Sequence, residues 1–164
     1  MVKQVELIRR VVAKTMELTA IRGWRPLTLA VIAAEAGVPL VEVFDEFSSK
    51  EAILSAFTRE IDRHVLADFA FDGDGGGSTR ERLLRLLTRR FEVLKSYKAA
   101  LQNIELGGDL PALLSAASRI ARSMVLMLEA VGSGGGGLGG AVRANALAAI
   151  YAYVVRVRRI CQRP

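Results

Sequence analysis

The chain has 164 residues, 51% of them hydrophobic and only 6% aromatic, with a mean hydropathy of +0.28, so disorder is excluded and a substantial core is expected. A net charge of +6 and a pI near 10.0 suit a polyanionic partner, nucleic acid or anionic lipid, without choosing between them. The single cysteine, Cys161, excludes an internal disulfide and a cysteine-based zinc site, as in a reducing cytoplasm.

Abundant alanine and leucine without alternating β-branched runs predict an all-α protein. The opening MVKQVELIRR lacks the apolar core and cleavage site of a secretory signal, and a cytoplasmic protein is expected. Val5, Ile8, Val12 and Met16 set a helical stripe over about residues 3 to 22, with Lys3, Arg9, Arg10 and Lys14 mostly off it. Gly23 ends that helix, and Trp24 is expected to plug it against the two short helices beyond.

Thr28 is an N-cap for a helix carrying Leu29, Ile32, Ala33 and Ala36, and Gly37 suits the left-handed residue that ends it. Pro39 fits the first position of a second short helix with Val43 and Phe44. Ser48 or Ser49 caps a longer one, about Ser49 to Phe69, with Ile53, Phe57, Ile61, Val65 and Phe69 recurring every fourth residue. Helix, glycine turn, helix is an arrangement used on DNA.

IAAEAGV at 32–38, Phe44, and FSSKEAIL at 47–54, preceded by RGWRPLTL, resemble the N-terminal DNA-binding domain of TetR-type transcriptional regulators. The resemblance implies that the second helix of the motif enters the major groove. Thr28 then matches a phosphate-binding cap, Lys50 a lysine that meets the backbone, and Phe44 a position usually held by a phosphate-contacting tyrosine. The groove-facing positions would be Pro39, Leu40, Val41, Glu42 and Asp45, where such regulators more often carry small, hydroxylated and basic residues. Three carboxylates, Glu42, Asp45 and Glu46, lie on this helix, and Lys50 is the one cation near it in sequence. Carboxylates can accept from cytosine N4, but they oppose attraction to phosphate.

Beyond it, DGDGGGST at 72–79 reads as a flexible break; its aspartates lack the further ligands of a calcium loop. Ser78 with Glu81 makes a capping box for a helix with Leu83, Leu87, Phe91 and Leu94 on one side and a solvated face of Arg80, Arg82, Arg85 and Arg89. SYKAALQNIEL predicts a short helix closed by Gly107 and Gly108. Asp109 caps the next, whose stripe of Leu114, Ala117, Ile120, Met124 and Leu128 predicts a mostly buried helix up to Gly132. GSGGGGLGG, 132–140, reads as a mobile linker. The last helix, from about Ala141, is apolar nearly all round and predicts an element sandwiched between helices or subunits, before a basic tail at Arg156, Arg158 and Arg159. Its longest uncharged run, about Ala144 to Val155, is shorter than the roughly 20 residues that cross a bilayer.

The expected architecture is an N-terminal three-helix helix-turn-helix domain, 1–56, joined by a long helix to a C-terminal helical ligand and dimerisation domain, 57–164, ending short of the last helices from which TetR-like regulators build a dimer. His64 has no metal-ligand neighbours at suitable spacing, catalytic residues do not converge, and no cofactor, metal or enzymatic activity is expected. Phe91, Leu94, Tyr97, Leu101, Met124, Met127, Leu128 and Tyr151 could line an apolar cavity, as in the family's effector pockets. The resemblance thus implies a repressor that binds double-stranded operator DNA as a homodimer and is released by a small apolar effector. RRFEVLKSYKAAL and ANALAAIYAYVV also resemble lipid-binding proteins of ubiquinone biosynthesis that share a TetR-like fold, which implies an alternative: a lipid or isoprenoid carrier that meets a membrane surface instead of DNA.

Overall fold

A computed structural model describes residues 2–71, 76–107, 110–134 and 137–161, with side chains for 3–70, 76–107, 114–134 and 137–155 of these. The described residues form eight helices and no strand: α1 Val2–Arg22, α2 Leu29–Ala36, α3 Leu40–Glu46, α4 Lys50–Phe71, α5 Thr79–Lys95, α6 Lys98–Gly107, α7 Leu110–Ala130 and α8 Gly137–Cys161. They pack as two compact units, one of Met1–Ile61 with Phe91–Ser115 and one of Asp62–Arg90 with Ala116–Pro164. Asp72 and Asp74 of the glycine-rich break, the cap Asp109 and the side chains of Arg156, Arg158 and Arg159 lie outside the described residues.

In the first unit α1 buries Val11, Val12, Thr15, Met16, Leu18 and Thr19, whereas Val5, expected on the stripe, is exposed. Two threonines replace aliphatics on this line because each hydroxyl is satisfied within the helix: Thr15 donates to the Val11 carbonyl at 2.7 Å and Thr19 to the Thr15 carbonyl at 2.6 Å. The carbonyls at the end of α1 are met from α6, where Asn103 Nδ2 lies 2.9 Å from the Thr19 oxygen and 3.2 Å from that of Ala20. Gly107 closes α6 against Trp24; a Cβ there would stand 3.2 Å from that of Trp24. Trp24 is buried, as expected, and Phe57 meets Tyr97 edge to face at 4.8 Å between ring centres.

The second unit is built on apolar residues of α4, α5, α7 and α8, among them Val65, Leu86, Met124, Met127 and Ala148, with Val131 just beyond α7. At its centre sits a polar cluster. Arg90 and Asp62 are only 4% and 3% exposed, and Arg90 Nε donates to Asp62 Oδ1 at 2.9 Å. Its other nitrogens reach the Tyr151 hydroxyl at 2.6 Å and Ser123 Oγ at 3.3 Å, and the Ser123 hydroxyl donates to the second Asp62 oxygen. Burial by itself would lower the Arg90 pKa; Tyr151 and Asp62 outweigh it and raise it above the ordinary arginine value. One residue from each of the four helices is therefore fixed to the others.

Several sequence expectations shift here. The inner line of α5 is Leu86 and Arg90, with Leu83, Leu87, Phe91 and Leu94 half-buried. Arg82 is not on a solvated face: it is half-buried, 5.9 Å over the Phe69 ring, and donates to the Ala130 carbonyl at 3.4 Å. Among the described side chains of α7 the first buried one is Ser123, while Leu114 and Ala117 are exposed. Gly137 to Gly140, expected in a linker, form the first turn of α8, extending backward the alanine-rich helix beyond them; adding a residue to an existing helix avoids the nucleation cost. Finally, α8 is covered by its own chain on one face only, so no second layer of helices sandwiches it within the single chain. Ala144, Ala148 and Tyr151 face inward, and Leu138, Val142, Ile150 and Tyr153 are exposed. Gly137–Val155 is long and apolar enough to cross a membrane by length and composition alone.

Candidate nucleic-acid interface

The α2–α3 pair is shaped by local chemistry at each end. Thr28, in extended conformation, accepts the Val31 N–H on its hydroxyl oxygen at 3.2 Å and starts α2. Gly37 ends it at φ 62°, ψ 40°, a left-handed conformation in which its own N–H and that of Val38 return to the carbonyls of Ala34 and Ala33. Arg10, from α1, donates Nε to the Ala36 carbonyl at 3.1 Å and a terminal nitrogen to that of Gly37 at 3.3 Å, placing a cation at the negative end of α2.

Pro39 is the N-cap of α3, one position earlier than expected: its φ of −55° suits a helix, its ψ of 134° does not. Its carbonyl still accepts from Glu42 and Val43, so the missing N–H costs nothing. Val43 is wholly buried and is the pivot of α3. Around it Leu40, Val41, Glu42, Phe44 and Asp45 are exposed, with Val41 at 64% and Phe44 at 56%. Glu46 is partly withdrawn: Gln4 Nε2 donates to its carboxylate at 2.8 Å and ties the start of α1 to the end of α3.

Several cations of this domain are internally engaged. Arg22 pairs with Glu35 at 2.8 Å, and Arg25 reaches the Gly107 carbonyl at 3.4 Å. Lys50, the match to a backbone-contacting lysine, donates Nζ to the Trp24 carbonyl at 3.0 Å and stands 4.6 Å from the Trp24 ring centre. Its ammonium therefore locks the α1–α2 loop to the start of α4. Sequence reasoning missed this role, because nothing local joins Lys50 to a carbonyl 26 residues away. Ser49, rather than Ser48, caps α4, accepting from the Ala52 N–H at 3.2 Å.

The eight residues assigned to an effector cavity divide between the two units. Phe91, Leu94, Tyr97 and Leu101 belong to the first and are half-buried; Met124, Met127, Leu128 and Tyr151 belong to the second and are buried. The Tyr151 hydroxyl is held by Arg90. His64 is exposed, 3.7 Å from Asp68, which Arg89 also binds at 2.6 Å. The Arg89 bond, followed by the charges of His64 and Arg89, outweighs partial desolvation and holds Asp68 below its ordinary pKa.

Searches among curated proteins and among solved structures returned no match. Residues 11–57 match the family described as bacterial regulatory proteins, tetR family. The matched segment runs from the buried Val11 of α1 through the Thr28 cap, the Gly37 turn and α3 to Phe57 on α4. Sequence match, helix order and cap geometry agree over this segment, and residues 11–57 form an N-terminal helix-turn-helix domain of the kind that the tetR family of bacterial regulatory proteins carries.

Proposed function

We propose that the protein is a cytoplasmic repressor that binds operator DNA through α2 and α3 as a homodimer and is released by a small apolar effector. The observation that carries the reading is the pair itself: a Thr28-capped α2, a left-handed Gly37 and an α3 whose outer face no element of its unit covers. The Thr28 hydroxyl spends a lone pair on Val31 and keeps its proton for a phosphate oxygen at the positive end of α2. Lys50 serves the same interface indirectly, by fixing the loop that precedes Thr28. Dimerisation is supported by α8, where Leu138, Val142, Ile150 and Tyr153, at helical spacing, leave an apolar stripe that a second copy can cover. Met124, Met127, Leu128 and Tyr151 are the proposed effector contacts, and effector and operator must then weaken each other reciprocally.

Electrophoretic titration of genomic fragments tests this reading. Retention of some fragments, lost as salt is raised, is expected; no salt-sensitive retention at any sequence overturns it. Because α3 itself carries no cation, the loss with salt should be shallower than for a regulator with a basic recognition helix.

The exposed stripe of α8 favours a second reading, a carrier of lipid or isoprenoid that lies on a membrane. Native mass spectrometry separates the two: a co-purifying lipid supports the carrier, and a lipid-free dimer supports the regulator.

A further inference from the structure

Resting on the DNA-binding reading, we infer that Val41 and Asp45 are the base-reading pair of α3, and that they select a half-site in which a thymine methyl and a cytosine N4 amine lie one or two base pairs apart on the same groove wall. Helix geometry picks these two. With about 100° of turn per residue, the direction opposite the buried Val43 falls between Val41 and Asp45, roughly 20° from each. Phe44 and Leu40 flank them on one side and Glu42 on the other. When α3 enters a major groove with Val43 toward the protein, Val41 and Asp45 reach deepest.

Their chemistry limits what they read. The exposed residues of α3 offer no arginine or lysine for guanine O6 and N7, and no asparagine or glutamine for the paired contact to adenine. An ionised carboxylate only accepts, so Asp45 needs a base-edge donor. Cytosine N4 supplies one flanked by carbon; adenine N6 supplies one beside the N7 acceptor, which repels a carboxylate. Val41 has no polar atom and gains only by covering the thymine methyl. The two side chains are one helical turn apart, about 6 Å along the axis, against about 3.4 Å per base pair, which sets the spacing of the two bases. Asp45 also repels phosphate, so its presence lowers affinity for every other sequence while rewarding this one, a way of gaining specificity by penalising wrong sites.

The test is selection by the full chain, at about 50 mM salt, from a pool of randomised duplex, followed by titration of the selected site. The selected half-site should contain a C·G and an A·T pair within two base pairs. Replacing that C·G pair should weaken binding about tenfold or more, and uracil in place of the thymine about fourfold, the worth of one buried methyl. Asp45→Asn, at an exposed position and with an unchanged melting temperature, should shift the preference at the same pair from cytosine to adenine, which the amide can bind through two hydrogen bonds. A selected site lacking the C·G pair, or an Asp45→Asn variant with the wild-type preference there, overturns the inference while leaving DNA binding intact. A wild-type chain that retains no duplex at this salt overturns the DNA-binding reading itself.

Discussion

Gly37 shows how much a single backbone angle decides. Its φ of 62° and the absence of any atom within 4 Å of an added Cβ separate conformation from crowding: Gly37→Ala meets no clash and must still hold a left-handed backbone. That costs about 1–2 kcal/mol, and asparagine, which tolerates the region, should cost less. Chemical denaturation of both variants checks the ranking; equal loss would point to packing instead. Thr28→Ala removes the cap of α2 and should lower stability by about 1 kcal/mol. Asp62→Ala is the severe case, because it leaves the guanidinium of Arg90 buried without its carboxylate; a loss of about 3–5 kcal/mol is expected in the same assay. Thr28 and Gly37 were legible in the sequence because caps and turns are made by neighbours. Arg90 was not: it is the second of two adjacent arginines on an arginine-rich helix, and its partner Asp62 lies 28 residues away. Helical periodicity ranks faces by hydropathy and cannot single out the arginine that faces a carboxylate.

At the scale of the element, the start of α5 behaves as its sequence requires. Glu81 accepts the Ser78 N–H at 2.7 Å and its hydroxyl at 3.0 Å, while Ser78 Oγ accepts the Glu81 N–H at 3.3 Å. The backbone bond from Ser78, then its hydroxyl, lower the Glu81 pKa below its ordinary value. A carboxylate depressed in the folded state contributes stability that is present above its ordinary pKa and lost as pH falls through the depressed one. Glu81→Gln should therefore melt below the wild type at pH 7, and the difference should shrink as pH falls below the ordinary carboxylate range. A difference that is undiminished in acid would place the effect in something other than the charge. The last helix was the least legible element. Its composition is apolar nearly all round, so the sequence could not separate the face that packs through Ala144, Ala148 and Tyr151 from the one that carries Leu138, Ile150 and Tyr153. The run of glycines before it hid its first turn, because glycine's unfavourable helix propensity, about 1 kcal/mol per residue, was outweighed by the alanines beyond it.

For the whole molecule, the exposed face of α8 and the outer face of α3 are the two surfaces through which the proposed regulator meets other molecules. Ile150→Glu, on a face already exposed in the single chain, should leave the fold intact and shift sedimentation from dimer to monomer; a dimer that survives it places the interface elsewhere. Loss of the dimer should also weaken operator binding, since one α3 with three carboxylates and no cation has little affinity to offer alone. The helix-turn-helix was readable from sequence because its signals lie within thirty or so residues of one another, from Thr28 to Phe57. How α6 closes over α1 through Asn103, and how four helices converge on Arg90, depend on pairs separated by 84 and by as much as 61 residues, beyond the reach of local pattern. The most direct measurement is a footprint of the full chain on a genomic fragment that it retains. Two protected patches related by a palindrome, with centres about 34 Å or a multiple of it apart, are predicted; uniform weak protection without a repeated half-site would contradict sequence-specific binding by paired helix-turn-helix units.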